Sequence, residues 1–162
     1  MARSTLVYVT YIRTTQETLW SALTDAEFIK RYWFGVHCEC QWTVGSSWKM
    51  RYPDGRVTDT GEIAESEPPR RLVIRWRHQD KPELKAEGES LCTMELEASG
   101  PAVKLSITHT IDREPSKFIA AVSAAWPMAI SNLKSVLETG SVVLPHHFPA
   151  ESALSLTMAK AV

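Results

Sequence analysis

At 162 residues, 44% hydrophobic and 23% charged, with a formal charge of −1 and a pI near 6.5, the chain has the composition of one ordinary globular domain with a real core. The near-neutral balance excludes a general electrostatic attraction to nucleic acid or to an anionic membrane, and no run approaches the ~20 apolar residues needed to cross a bilayer. Three cysteines, an odd number, argue against a disulfide framework, and no uninterrupted apolar signal segment precedes Arg13, so the expectation is a cytoplasmic protein with reduced thiols.

Leu6 to Ile12 (LVYVTYI) is β-branched and aromatic and reads as a strand. Thr14 followed by Glu17 fits a capping box, which predicts a helix whose buried face carries Leu19, Trp20 and Leu23. Thr24-Asp25 is positioned to cap a second short helix, Ala26 to Tyr32, with Phe28, Ile29 and Trp33 facing inward. From His37 to Ile111 the hydrophobic period changes to two. The predicted strands are His37 to Trp42, Ser47 to Tyr52, Val57 to Ala64, Leu72 to Arg77, Leu91 to Glu97 and Val103 to Ile111. Turn chemistry punctuates them at Gly45-Ser46, Pro53-Asp54-Gly55, Pro68-Pro69 and Gly100-Pro101, and the short connections favour antiparallel neighbours. Asp80 to Glu89 is expected to be a polar, mobile loop.

The last predicted element is a long amphipathic helix, Ser116 to Glu138. Phe118, Val122, Trp126, Ile130, Leu133 and Leu137 recur at steps of three or four and so share one face. Pro127 lies inside it, where a missing amide hydrogen predicts a bend and space beside it. Gly140 is the expected C-cap, and residues 141–162, with His146-His147 and the apolar Leu154, Leu156 and Met158, form an extension that either packs as a short helix on its own domain or meets a partner subunit. The order of strand, two helices, six strands and one long helix indicates an α+β domain over residues 1–140.

Four segments then carry a family likeness: Thr18-Leu19-Trp20-Ser21-Ala22-Leu23-Thr24-Asp25; Val44-Gly45 with Trp48; Gly61-Glu62-Ile63 through Pro68-Pro69-Arg70-Arg71-Leu72; and the helix from Trp126 to Leu137. By their order and spacing the chain resembles the START-like (SRPBCC, birch-pollen-allergen-like) superfamily, in the branch of the activator of heat-shock protein 90 ATPase. The family usually has a second glycine after the position of Gly45, where this chain has Ser46. The resemblance implies a helix-grip fold: a curved antiparallel sheet of about seven strands wrapped around the C-terminal helix. That fold hosts lipid carriers, cyclases and co-chaperones, so the activity does not follow from it.

If the concave side of the sheet faces the helix, strand alternation nominates the lining of a cavity. The inward sets are Cys38, Cys40 and Trp42; Trp48, Met50 and Tyr52; Leu72, Ile74 and Trp76; Cys92, Met94 and Leu96; and Leu105, Ile107, His109 and Ile111. Asp59 shares a face with Val57 and Ile63. The expected ligand-binding residues are Trp48, Met50, Tyr52, Asp59, Trp76, Met94 and His109 on the sheet, with Val122, Trp126 and Ile130 on the helix. Such side chains suit a small apolar or aromatic ligand, but periodicity alone does not separate a cavity lining from core filler.

His109 is the one weak catalytic candidate: it either orients a ligand or acts as a general base, or it is a core histidine with a local partner. His37, Cys38 and Cys40 invite a zinc reading, which their spacing opposes because His37 projects away from the two cysteines and no second Cys/His pair follows. No phosphate loop, nucleophile elbow or paired-carboxylate motif is present, and no metal or cofactor is expected. Arg70-Arg71 reads as a solvated edge or a contact for an acidic partner. Three functions follow as expectations: a small-molecule-binding domain; a co-chaperone-like interaction protein, on the resemblance alone; and a cyclase or hydrolase using His109 with Asp59 or Tyr52. The extension also leaves a homodimer open.

Overall fold

A computed structural model describes residues 2–144. The chain runs β1 (Ser4–Ile12), α1 (Gln16–Thr24), α2 (Ala26–Tyr32), β2 (His37–Cys40), β3 (Ser47–Arg51), β4 (Val57–Glu67), β5 (Arg71–His78), α3 (Pro82–Lys85), β6 (Glu89–Ser99), β7 (Ala102–Ile111) and α4 (Lys117–Thr139). The seven strands form one antiparallel sheet in the order β1-β7-β6-β5-β4-β3-β2, the α+β helix-grip arrangement that the family resemblance implies. Register shifts between Met50 and Arg51 and between Ile63 and Glu65 put bulges into the sheet, and bulges bend strands.

Strand alternation builds the core. On β7 Val103, Leu105, Ile107, His109 and Ile111 are buried, and on β6 Ser90, Cys92, Met94 and Leu96 are. The other sheet face carries cross-strand ion pairs, such as Arg71 with Glu65 and Glu95 and Arg75 with Glu62. Arg71 thus pairs with its own sheet. Gly61, in mid-strand on β4, is required by close approach: a Cβ there would lie 1.8 Å from the Arg75 carbonyl oxygen.

α4 is 23 residues, about 34 Å, long. The Ser116 hydroxyl accepts from the Ile119 amide at its start, reinforced by the Glu87 carboxylate, which takes the Lys117 amide at 2.8 Å and the Ser116 hydroxyl at 2.6 Å. Gly140, at φ 88°, ends it in the left-handed conformation. The helix continues through Pro127, which has no amide hydrogen to offer the carbonyl of Ser123, on the exposed side. Phe118, Val122, Trp126, Ile130 and Leu133 are buried against the sheet, with Ala121, Ala125 and Ala129 between them.

Several expected boundaries move. Thr15, one residue later than expected, is the N-cap of α1, accepting from the Thr18 amide. Asp25 precedes α2 without a side-chain capping bond. Trp42 and Tyr52 lie just beyond their strands. The loop from Asp80 to Glu89 holds α3, whose Leu84 is buried in the core: one apolar residue at its centre anchors an otherwise polar segment. The extension is described only to Leu144, which packs against the core and is held by Asn132; the rest, His146-His147 included, lies outside the described residues.

Candidate functional site

Between α4, α2 and the concave face of the sheet lies a cavity of about 30 Å³. Five tryptophans line it: Trp33 from the end of α2, Trp42 from the β2–β3 loop, Trp48 on β3, Trp76 on β5 and Trp126 on α4. Leu23, Ile29, Tyr32, Cys38, Met50, Ile74 and Met94 complete the wall. The rings interlock. Trp48 and Trp76 lie 4.4 Å apart between centroids, Trp76 and Trp126 meet edge to face at 5.8 Å, and Trp126 meets Trp33 at 4.8 Å. The volume accommodates one or two waters. Trp42 is the half-exposed member and sits at φ 62°, a conformation that is strained for a bulky side chain.

Of the expected binding residues, Trp48, Met50, Trp76, Met94 and Trp126 line this cavity. Tyr52, Asp59, His109, Val122 and Ile130 are buried outside its wall. The Tyr52 hydroxyl donates to Asp80 at 3.0 Å, and Arg56 stacks over its ring.

His109 is held on both sides. The Trp126 indole N–H donates to its Nδ1 at 3.2 Å, and Nε2 lies 2.9 Å from the Ser90 hydroxyl oxygen, whose own proton goes to the Trp76 carbonyl at 3.0 Å. An indole nitrogen can only donate, so this network assigns the proton to Nε2 and leaves no free lone pair. Burial lowers the His109 pKa to about 3, against a smaller opposing effect of the Asp59 charge. A neutral imidazole with both nitrogens engaged is a structural bridge between sheet and helix, poorly suited to general base work near neutral pH.

Beside it Asp59 collects three donors: Trp76 Nε1 at 2.9 Å, His78 Nδ1 at 3.0 Å and the Thr58 hydroxyl at 2.6 Å. His78 is wholly buried, and its Nε2 has no partner among the described residues. His78, Ser90 and Tyr32 join the site without having been nominated by alternation or spacing, and Trp33, expected only to face inward from its helix, joins the cavity wall. His78 closes the inward period of β5 after Leu72, Ile74 and Trp76, so alternation was the signal for it.

The two buried thiols, Cys38 and Cys92, are chemically quiet. Burial pushes the Cys38 pKa up to about 12, helped by its neighbours Cys40 and Glu39 and opposed by a hydrogen bond from Trp48, and burial pushes Cys92 up as well. No grouping of histidine, cysteine and carboxylate side chains suited to a metal occurs among the described residues. No helix among them is long and apolar enough to cross a membrane.

The family described as Activator of Hsp90 ATPase homolog 1-like protein matches residues 13–138. Among solved structures, the Aha1 dimer from Colwellia psychrerythraea is 20% identical with a TM-score of 0.70, over 85% of this chain and 98% of that one. PFC0360w, an HSP90 activator from Plasmodium falciparum, is 22% identical with a TM-score of 0.67, over 82% and 95%. CalU16 from Micromonospora echinospora is 18% identical with a TM-score of 0.68, over 97% and 82%. These likenesses establish the fold. No curated protein matches the chain in sequence.

Proposed function

This chain belongs to the Activator of Hsp90 ATPase homolog 1-like family, and from that premise we propose that it binds a small apolar or aromatic molecule between α4 and the sheet. The observation that carries this reading is the convergence of five indoles from α2, the β2–β3 loop, β3, β5 and α4 on one small pocket. Clustered aromatic walls favour flat apolar ligands. The void is small, so binding requires its rim to move, and strained, half-exposed Trp42 is the element of the rim suited to that. Native mass spectrometry of freshly purified protein, with a thermal-shift panel of neutral aromatics and fatty acids, tests the reading. At least one compound raises the melting temperature saturably; no adduct and no shift across the panel refutes it.

A second reading is an interaction protein of the co-chaperone type. It is supported by the family and by Val7, Val9 and Tyr11, which are 62%, 44% and 50% exposed along the outer side of edge strand β1. Stimulation of a bacterial heat-shock protein 90 ATPase, lost in Val9→Asp, is the expected result under this reading; no stimulation at high excess ends it. A homodimer through the same strand would show in sedimentation. The enzymatic reading through His109 receives no support from a ring whose two nitrogens are already engaged.

A further inference from the structure

Val7, Val9 and Tyr11 are exposed on one edge strand. β1 pairs with β7 and meets no strand on its other side among the described residues. Edges that stay open are usually blunted by charge, proline or brevity. β1 has none of these: its nine residues, STLVYVTYI, are uncharged and free of proline. Its backbone bonds show which groups of the edge are free. Along a strand, N–H and C=O point to one side at one residue and to the other side at the next. The Tyr11 carbonyl accepts from the Lys134 ammonium and the Arg13 amide donates to the Glu138 carboxylate, so the odd-numbered residues face away from β7. α4 thus caps the C-terminal end of the edge. Thr5, Val7 and Val9 remain, with no bond from another element to their amides and carbonyls among the described residues.

We propose that β1 pairs antiparallel with β1 of a second copy across a two-fold axis at Val7. This rests on the reading of β1 as an interaction surface and names its occupant. In that register Val7 faces Val7 of the partner subunit and Thr5 faces the partner's Val9. Every free group on the edge is then bonded, and β-branched side chains meet across the seam. Arg3, whose guanidinium rests on Asp112, comes opposite the partner's Tyr11, a cation beside an aromatic ring. A slip that centres the axis on Tyr8 sets Arg3 against the partner's Arg13 and calls on the Tyr11 carbonyl that Lys134 holds. A two-fold axis makes this edge its own complement, and an uncharged strand has nothing to repel its copy. A strongly acidic or basic partner finds no opposite charge on it.

Sedimentation velocity over a concentration series, on the wild type, Val7→Lys and Leu91→Lys, tests the pairing. Leu91 is exposed on the same sheet face as Val7, two strands in from the edge. Val7→Lys sets like charges against each other at the axis and raises the dimer dissociation constant at least about tenfold, while Leu91→Lys leaves it within about twofold. Circular dichroism and melting check that both variants fold. Amide exchange reads the register: Thr5 and Val9 are protected in the wild type and lose protection in Val7→Lys, while Leu6 and Tyr8 keep theirs. A wild type that stays monomeric at every concentration, or a dimer that both substitutions weaken alike, overturns the pairing. A monomer that stimulates the heat-shock protein 90 ATPase, and loses that in Val9→Asp, overturns it while the co-chaperone reading stands; a dimer without stimulation does the reverse.

Discussion

Trp126 on α4 donates its indole N–H to Nδ1 of His109 on β7 at 3.2 Å. The gripped helix is thereby tied to the sheet at the centre of the core, and the ring is passed on through Ser90 to the backbone of β5. The same bond fixes the tautomer and keeps the imidazole neutral. Helix and histidine are therefore one mechanical unit, in which packing and protonation are coupled.

That coupling predicts a pH dependence. The folded-state pKa of His109 is about 3, against an ordinary 6.5. The unfolded chain therefore takes up a proton that the folded chain refuses. Its stabilising contribution is fully present above pH 6.5 and is lost progressively as pH falls toward 3. Between pH 8 and pH 5 this one group removes about 2 kcal/mol. Urea denaturation of the wild type and His109→Gln at both values isolates it: the variant is less stable throughout but loses less on acidification. Equal losses would show that the imidazole is not held neutral.

Trp42→Gly tests the rim. Glycine adopts the left-handed backbone freely, recovering about 1 kcal/mol of strain, while a half-buried indole is lost. The two effects offset, so stability changes by less than about 1 kcal/mol. Access changes far more: acrylamide quenching of the remaining tryptophans and binding of an apolar dye both rise. Unchanged quenching means that Trp42 does not guard the void.

Gly61→Ala tests the close approach of β4 to β5. The added methyl would lie 1.8 Å from the Arg75 carbonyl oxygen and 3.3 Å from the Trp48 ring. Backbone cannot yield there without breaking the ladder, so a loss of about 3 kcal/mol or more is expected, read as a lower denaturation midpoint. A variant within 1 kcal/mol of the wild type contradicts the register.

Asn132, wholly buried on α4, donates to the Tyr32 and Leu144 carbonyls at 3.4 and 3.1 Å and accepts from the Val143 and Leu144 amides at 3.1 and 2.7 Å. Asn132→Ala leaves these backbone groups without partners, at a cost of about 2–4 kcal/mol. Limited proteolysis with mass mapping should show new cleavage near residues 141–144, and a digestion pattern like the wild type would refute the clamp.

The fold was legible because it rests on periodicity. Leu105, Ile107, His109 and Ile111 alternate on β7, while Phe118, Val122, Trp126, Ile130 and Leu133 step along α4. These intervals alone determine which side chains share a face. The candidate site was legible only by half. Trp48, Met50, Trp76, Met94 and Trp126 emerged from alternation and helical spacing, but Tyr32 and Trp33 sit at the end of a short helix whose docking angle no local interval records. Leu84 was hidden in the same way within a polar segment.

The sequence by itself determined most of the elements and their inward faces, because hydrophobic spacing is a local property of the chain, while the grip of the long helix by the sheet was what the family resemblance implied. Only the tertiary structure decided that both nitrogens of His109 are engaged while Nε2 of His78 has no partner among the described residues. That outcome depends on Trp126 reaching His109 from 17 residues away and on Ser90 reaching it from 19. Hydrogen-bond satisfaction in a core is set by which distant groups packing brings within 3 Å, and no spacing along the chain encodes it.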